Sequence, residues 1–361
     1  MNELHIDKTH WKKYRFDEMV QNVSERVEPS QTDLDIYVGL EHIDPDTLHL
    51  SRHGHPSDVE GTKLRFYKGD IIFGRRRAYQ RKTALATTDG ICSAHAMVVR
   101  AKEDVVDPMF LPFLFHSKNF IDMAITISVG GLSPTINWKD IAKQEFLLPP
   151  KAEQKRLSEL LWAADEVVEK EKREMEKATI IKNQFIEQIQ NPTIKKSANR
   201  YRLGDIITLN YGKALKESDR IEGNYKVVGS SGISGTHTSF QVNGPGIVIG
   251  RKGSAGSVIW IADNFWPIDT AYWVSRVKKD MDLKYLYLLL QSLNLSDLAI
   301  TTAIPGLNRD DVYEQIVYIP TVEEQNKIII EYSKIQNIID KMSIMIDTSQ
   351  QIKQELINKV F

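Results

Sequence analysis

Pro149-Pro150-Lys151-Ala152-Glu153-Gln154-Lys155-Arg156 returns 171 residues later as Pro320-Thr321-Val322-Glu323-Glu324-Gln325-Asn326-Lys327. The same offset links Pro134-Thr135-Ile136-Asn137 to Pro305-Gly306-Leu307-Asn308. It also links Ile181-Lys182-Asn183-Gln184-Phe185-Ile186 to Ile352-Lys353-Gln354-Glu355-Leu356-Ile357. An offset that holds without a gap from the first of these motifs to the last is the mark of duplication. An internal repeat settles the architecture before any local reading does. Two copies are too few for a solenoid, so the expectation is two equivalent halves related by a pseudo-two-fold axis.

Both copies of the entry motif lead into a long helical pattern. Proline suits a helix start. Apolar residues then recur at Leu157, Leu161, Ala164, Val168, Met175, Ala178, Ile181, Phe185 and Ile189. In the second copy they are Ile328, Tyr332, Ile335, Ile339, Met342, Ile346, Ile352, Leu356 and Val360. The steps approximate a heptad seam that slips near Ile181. Each helix should be about 55–60 Å long at 1.5 Å per residue. A helix with so narrow an apolar stripe needs a partner, and the other copy packed antiparallel is the nearest one. Leu161, Val168, Ile339 and Ile346 are the expected seam. Glu153, Gln154, Glu324 and Gln325 mark the two repeated entries.

Asn191-Pro192 ends the first helix, since proline cannot continue one. The fold class expected is therefore α+β. Residues 1–148 make a first globular domain, 149–190 a first long helix and 191–200 a polar linker. Residues 201–319 make a second domain and 320–361 a second long helix. Tyr14-Arg15-Phe16 is echoed by Tyr201-Arg202-Leu203 at the start of each globular part. Both parts mix short β-like runs, such as Asp70 to Gly74 and Gly246 to Gly250, with a helical stretch at Pro108 to Ala124 and Leu283 to Leu293.

Composition narrows the function. With 42% hydrophobic and 26% charged residues the chain reads as an ordinary soluble protein, and no apolar run reaches the ~18 residues of a membrane span. Met1 to Lys13 has no signal-peptide core. Cys92 is the single cysteine, which leaves no internal disulfide and no cysteine zinc cage, and a cytoplasmic location fits. The formal charge of -1 gives no general prior for nucleic acid, so any such surface must be local.

Two loops supply it. Gly74-Arg75-Arg76-Arg77-Ala78-Tyr79-Gln80-Arg81-Lys82 and Gly250-Arg251-Lys252-Gly253-Ser254-Ala255-Gly256 follow matching β-like runs. The second meets neither the P-loop pattern nor the dinucleotide fingerprint. Lysine and arginine there can neutralise phosphates, and arginine can read guanine edges. Arg75, Arg76, Arg77, Tyr79, Arg81, Lys82, Arg251, Lys252 and Ser254 are the candidate DNA-binding residues. His53-Gly54-His55 lacks a third metal ligand and reads as a surface loop. His95 and His237 read as polar contacts. No catalytic residue is assigned, because there is no nucleophile elbow, no ATPase loop and no adenine-methyltransferase motif.

The ordered pair of domains and long helices resembles the specificity subunit of Type I restriction-modification systems, over essentially the whole chain. Ile249 to Gly253 and Phe265 to Trp273 look like that family's target-recognition domain. The Pro305 to Asn308 and Pro320 to Gln325 stretches look like its domain exit and helix entry. The resemblance implies two target-recognition domains that each read half of a split double-stranded DNA site. It also implies two methyltransferase subunits and restriction subunits as partners, with S-adenosylmethionine, ATP and magnesium held by those partners and no cofactor in this chain; the methyltransferase contact is then expected on the helices and at the entries, Glu153, Gln154, Glu324 and Gln325. Two rivals remain from the residues alone: a DNA-modifying enzyme with a divergent site, and a DNA-independent coiled-coil scaffold.

Overall fold

A computed structural model describes residues 6–191, 198–276, 280–300 and 305–361. The expected linker at 191–200 falls mostly outside the described residues. By compactness the chain divides into a unit of Met1–Lys172 with Ile344–Phe361, and a unit of Arg173–Ser343. Each globular region is thus grouped with the near ends of both long helices, and the two break points are themselves 171 residues apart.

The first region is closed at its neck by the antiparallel pair Lys12–Arg15 and Glu145–Leu148, with Tyr14 opposite Phe146. In the second, Asn199–Arg202 pairs with Ile316–Ile319 and Tyr201 lies opposite Val317. The Tyr-Arg echo is therefore one structural element used twice, tying entry to exit. Beyond it, Val20–Val23, Met97–Ala101, Ile71–Phe73 and Thr83–Leu85 form a sheet in that order. The second region repeats it with Ile207–Tyr211, Ala271–Arg276, Gly246–Gly250 and Val258–Ile261. The buried runs Ile71-Ile72-Phe73 and Ile247-Val248-Ile249 show no alternation because these central strands are covered on both faces. A smaller second sheet differs: four strands in the first region, three in the second.

The single helical stretch expected over Pro108 to Ala124 is two helices, Leu111–Leu114 and Lys118–Thr126. Ser117 interrupts them by capping the second, its hydroxyl accepting from the Phe120 amide at 3.2 Å. The second region keeps one helix here, Leu283–Gln291, capped by Asp282.

Both entry motifs start uninterrupted helices, Lys151–Glu187 and Val322–Val360. In the first unit their ends pack antiparallel. Asp165 meets Lys353 at 3.1 Å, and Ser349 donates to Glu171 at 3.1 Å, so the partner number falls as the first rises. Leu161, Ile357 and Val360 join the core of the first globular region. In the second unit Ile186, Ile189 and Tyr332 join the core of the second. Val168 and Ile346 are buried as expected, and Ile339 is half-buried.

The seam does not slip. Its buried and half-buried positions run Gln154, Ser158, Leu161, Asp165, Val168, Lys172, Met175, Thr179, Lys182, Ile186 and Ile189. These steps of four and three form an unbroken heptad with polar members. Ile181 and its counterpart Ile352 are 56% and 57% exposed, while Lys353 beside the latter is buried. The expected stripe followed apolar character; the real one follows geometry.

The helix-entry residues also take a role other than the one expected. Gln154 and Gln325 are each 1% exposed and cannot face a partner protein. Gln154 accepts from the Asp107 amide at 2.7 Å and donates to the carbonyls of Val105 and Pro149 at 3.1 and 2.9 Å. Gln325 repeats all three bonds with the Asp282 amide and the carbonyls of Asp280 and Pro320. Each glutamine bolts its helix to its globular region by satisfying buried backbone groups. Glu324 makes a capping box with Thr321, and Glu153 meets His10 at 2.8 Å.

Candidate nucleic-acid interface

The repeated Pro134 to Asn137 and Pro305 to Asn308 stretches hold the two basic loops. In the first region Ile136 N donates to Arg75 O at 3.0 Å, and Arg77 N donates to Pro134 O at 2.7 Å. In the second, Leu307 N donates to Arg251 O at 2.9 Å, and Gly253 N donates to Pro305 O at 2.9 Å. The backbone clamp is the same in both. It fixes loops that would otherwise be free to move, and so aims whatever side chains they carry.

The clamp forces the third loop residue into the left-handed region. Gly253, at φ +79°, adopts this freely. Arg77 occupies the same place at φ +58°, a conformation a non-glycine residue adopts at a cost of order 1 kcal/mol. At the strand exit Gly250 is required by space, since a Cβ there would lie 2.1 Å from Ser254 O.

Arg75 donates to Ala94 O at 3.3 Å, and Arg251 donates through Nε and Nη2 to Asp269 O at 3.0 and 2.6 Å. Arg76 reaches His95 at 3.3 Å and Ser133 at 3.2 Å; Arg77 reaches Ser133 at 3.1 Å. Among the described residues, Arg75, Arg76, Arg77, Arg251 and Lys252 have no carboxylate within ion-pair distance, so their charge is available to an external anion. Burial first, and then the charges of Arg76, Arg75 and Lys63, hold the His95 imidazole below its usual pKa. Tyr79, Lys252 and Ser254 are exposed beside these groups.

Arg81 and Lys82 do not belong with them. Arg81 pairs with Asp46 and donates to His116 O at 3.0 Å and Gln354 Oε1 at 3.1 Å. Lys82 is bonded to Leu40 O. Both are structural ties, so the basic run splits into a free front and an engaged back. His53 and His55 sit ring against ring at 5.9 Å, and no metal-binding cluster occurs among the described residues.

The structure adds residues that sequence reasoning missed. In the second region Tyr211, 56% exposed, has the guanidinium groups of Arg251 and Arg309 at 5.4 and 5.5 Å from its ring centroid. Its ring also meets Tyr272 at 5.3 Å. Arg309 follows the repeated motif by one residue, and its counterpart by the offset of 171 is Trp138. That position was open to notice. Tyr211 carried no signal, because only sheet register brings it to the loop.

The comparisons with known proteins bear on the family and the fold. The sequence matches the family described as Type I restriction modification DNA specificity domain over 54–179 and 195–357, well over half of the chain. It is 30% identical over 174 residues to the Type I restriction enzyme EcoDI specificity subunit of Escherichia coli, covering 47% of this chain and 38% of that protein. It is 27% identical over 132 residues to the EcoprrI specificity subunit of the same organism, covering 35% and 33%. The matched stretches thus span well under half the length of these relatives. Among solved structures, a chain from work on complex assembly and conformational transition of the type I R-M system superposes with a TM-score of 0.65, at 18% identity and 97% coverage of both chains. The S subunit of a Type I system from M. genitalium gives 0.59, at 15% identity over 99% and 98%. These two likenesses establish a shared fold across nearly the full length. No described helix is long and apolar enough to cross a membrane. With its repeat, its paired clamps and this family match, the chain belongs to the Type I restriction modification DNA specificity domain family.

Proposed function

We propose that the chain is the non-catalytic subunit that reads a bipartite duplex DNA target, one part with each globular region. The observation that carries the reading is the clamp made twice on the same backbone atoms, each time holding a basic loop, Arg75 to Arg77 and Arg251-Lys252, that has no carboxylate partner among the described residues. Duplex DNA offers those arginines phosphates and guanine edges. The partners follow as part of the same proposal: two methyltransferase subunits that bring S-adenosylmethionine, and restriction subunits that bring ATP and magnesium. Such partners supply phosphate contacts of their own, which accounts for a nearly neutral chain. The location is cytoplasmic, where the DNA and these partners are.

The test is the genome-wide pattern of adenine methylation, with and without this gene, in cells that carry its cognate methyltransferase. Loss of one split methylated motif on deletion is the expected result. An unchanged pattern in cells whose methyltransferase is demonstrably active would overturn the reading.

A further inference from the structure

The two basic loops are clamped alike, but the space beside them is used differently. In the second region Tyr211 fills it. Sheet register points to the equivalent place in the first region: Tyr211 pairs with Tyr272, which pairs with Ile249; in the first region Met97 pairs with Phe73, the ladder beside it ends at Val23 opposite Val98, and Ser24, the next residue, falls at the position of Tyr211. Where the second region has a tyrosine, the first has a serine.

The space so left is a cavity of about 370 Å³ whose walls include Ser24, Arg26, Lys63, Arg75, Met97 and Trp138. Arg75, Met97 and Trp138 are the counterparts of Arg251, Tyr272 and Arg309, the groups that enclose Tyr211. The cavity has three cationic side chains and no carboxylate among its lining residues. Arg65, next to it in sequence, is neutralised by Glu25, but Arg26, Lys63 and Arg75 form no ion pair among the described residues. Lys63 is held by the carbonyls of Glu60 and Gly61, which aim its ammonium without cancelling the charge. A concave site lined by cations of one sign, with no carboxylate among its walls, suits an anion.

We propose that this cavity takes a backbone phosphate of the DNA half-site read by the first region. The second region has exchanged it for a cluster of Arg251, Tyr211 and Arg309, in which a tyrosine ring stands where the first region has a serine. The inference rests on the DNA-reading function proposed above and adds Arg26, Lys63 and Ser24 to it. Phosphate is the shared chemistry of a DNA backbone and a free nucleotide; duplex DNA is favoured because the cavity opens beside the clamped arginine loop.

The experiment uses the full chain assembled with its cognate methyltransferase and a duplex carrying the methylated motif. Binding is measured against salt for wild type, Lys63→Ala, Arg26→Ala and Ser24→Tyr, with Arg251→Ala as a control in the other region. The two alanine variants should each weaken binding roughly tenfold and lower the log–log salt slope by about one. Ser24→Tyr, which fills the cavity as the second region does, should weaken binding by a similar factor at an unchanged melting temperature. A single uncharged methylphosphonate walked along the first half-site should hurt wild type at one position and leave Lys63→Ala indifferent there. Wild-type affinity and slope in all three first-region variants, with Arg251→Ala impaired, would overturn the cavity's role alone. A free nucleotide that occupies the cavity without competing with duplex would likewise overturn it. No sequence-specific binding by the wild-type assembly would overturn the DNA-reading function, and the cavity assignment with it.

Discussion

The helix seam beside the first globular region and the seam beside the second are the same heptad, yet their polar positions have diverged. In the first, Asp165 and Lys353 are buried and face each other at 3.1 Å, and His49 from the globular region bonds the other Asp165 oxygen at 2.6 Å. In the second, the position of Asp165 is Gln336 and the position of Lys353 is Lys182, both half-buried. There Gln336 accepts from Tyr332 and donates to Asp340, and Lys182 has no ion pair among the described residues. The difference shows what a duplicated frame must keep and what it can vary. Backbone geometry and heptad spacing are shared. A charge may be present at a seam position only where a partner is buried with it, or where the side chain can reach water.

The largest break in this comparison should come from Asp165→Ala. It leaves the Lys353 ammonium buried without a counter-charge, and losing one partner of such a pair costs about 3–5 kcal/mol. Gln336→Ala, at the same heptad position, should cost about 1 kcal/mol or less. Denaturant unfolding of the two variants of the full chain checks this, and equal losses would mean that the Asp165–Lys353 pair is not sealed from water.

Acid should separate the two regions next. Burial, followed by the charge of Lys353, pushes the His116 imidazole down to about 4 from 6.5. The unfolded chain therefore binds a proton more readily than the folded one. Stability from neutral His116 is complete above pH 6.5 and is lost as pH falls toward 4, by on the order of 3 kcal/mol at most. His49 has the opposite sign: its bond to Asp165 raises its pKa, so its contribution is present below 6.5 and fades as pH climbs through the raised value. His49 is 44% exposed and weighs less. Counted from Asp107 and Asp282, whose amides donate to Gln154 and Gln325, the counterpart of His116 in the second region is Gln291, which does not titrate. His116→Gln should therefore flatten the acid limb of a stability–pH curve between pH 6.5 and 4. An unaltered limb would place the acid sensitivity elsewhere.

These contrasts mark where sequence reading succeeds. The offset of 171 was enough to find both helices, the antiparallel pairing and the two equivalent regions, because duplication preserves spacing even where residues change. The Pro134 and Pro305 motifs were visible, but their work is done by backbone hydrogen bonds to a loop distant in sequence, which no residue type announces. Apolar character alone puts Ile181 and Ile352 on the seam, yet both are more than half exposed. Lys182 and Lys353 occupy the inward positions there, and a long side chain can cover a seam with its stem. Arg81 and Lys82 share a basic run with Arg75 to Arg77, and only tertiary contacts divide them. The Ser24–Tyr211 exchange depends on register and leaves no trace in either motif.

The paired glutamines should give nearly equal effects, which is the sharpest test that the two regions are mounted alike. Gln154→Ala and Gln325→Ala each leave a buried proline carbonyl without a partner and open a half-buried amide and a second carbonyl to water, at about 1–3 kcal/mol. Calorimetry of the full chain would show both. A loss at only one end would mean that one globular region is held to its helix mainly by apolar packing.

The smallest effect is expected where sequence and structure disagree most. Ile352→Ser changes a residue that is 57% exposed, and should shift stability by less than about 0.5 kcal/mol. Ile346→Ala, six residues away and 6% exposed, removes a buried side chain and should cost about 2–4 kcal/mol. The same pair of measurements distinguishes two seams. If the stripe ran along the apolar residues, Ile352 would match Ile346. Along the unbroken heptad it faces outward, and the ratio of the two losses reports directly which course the helix takes.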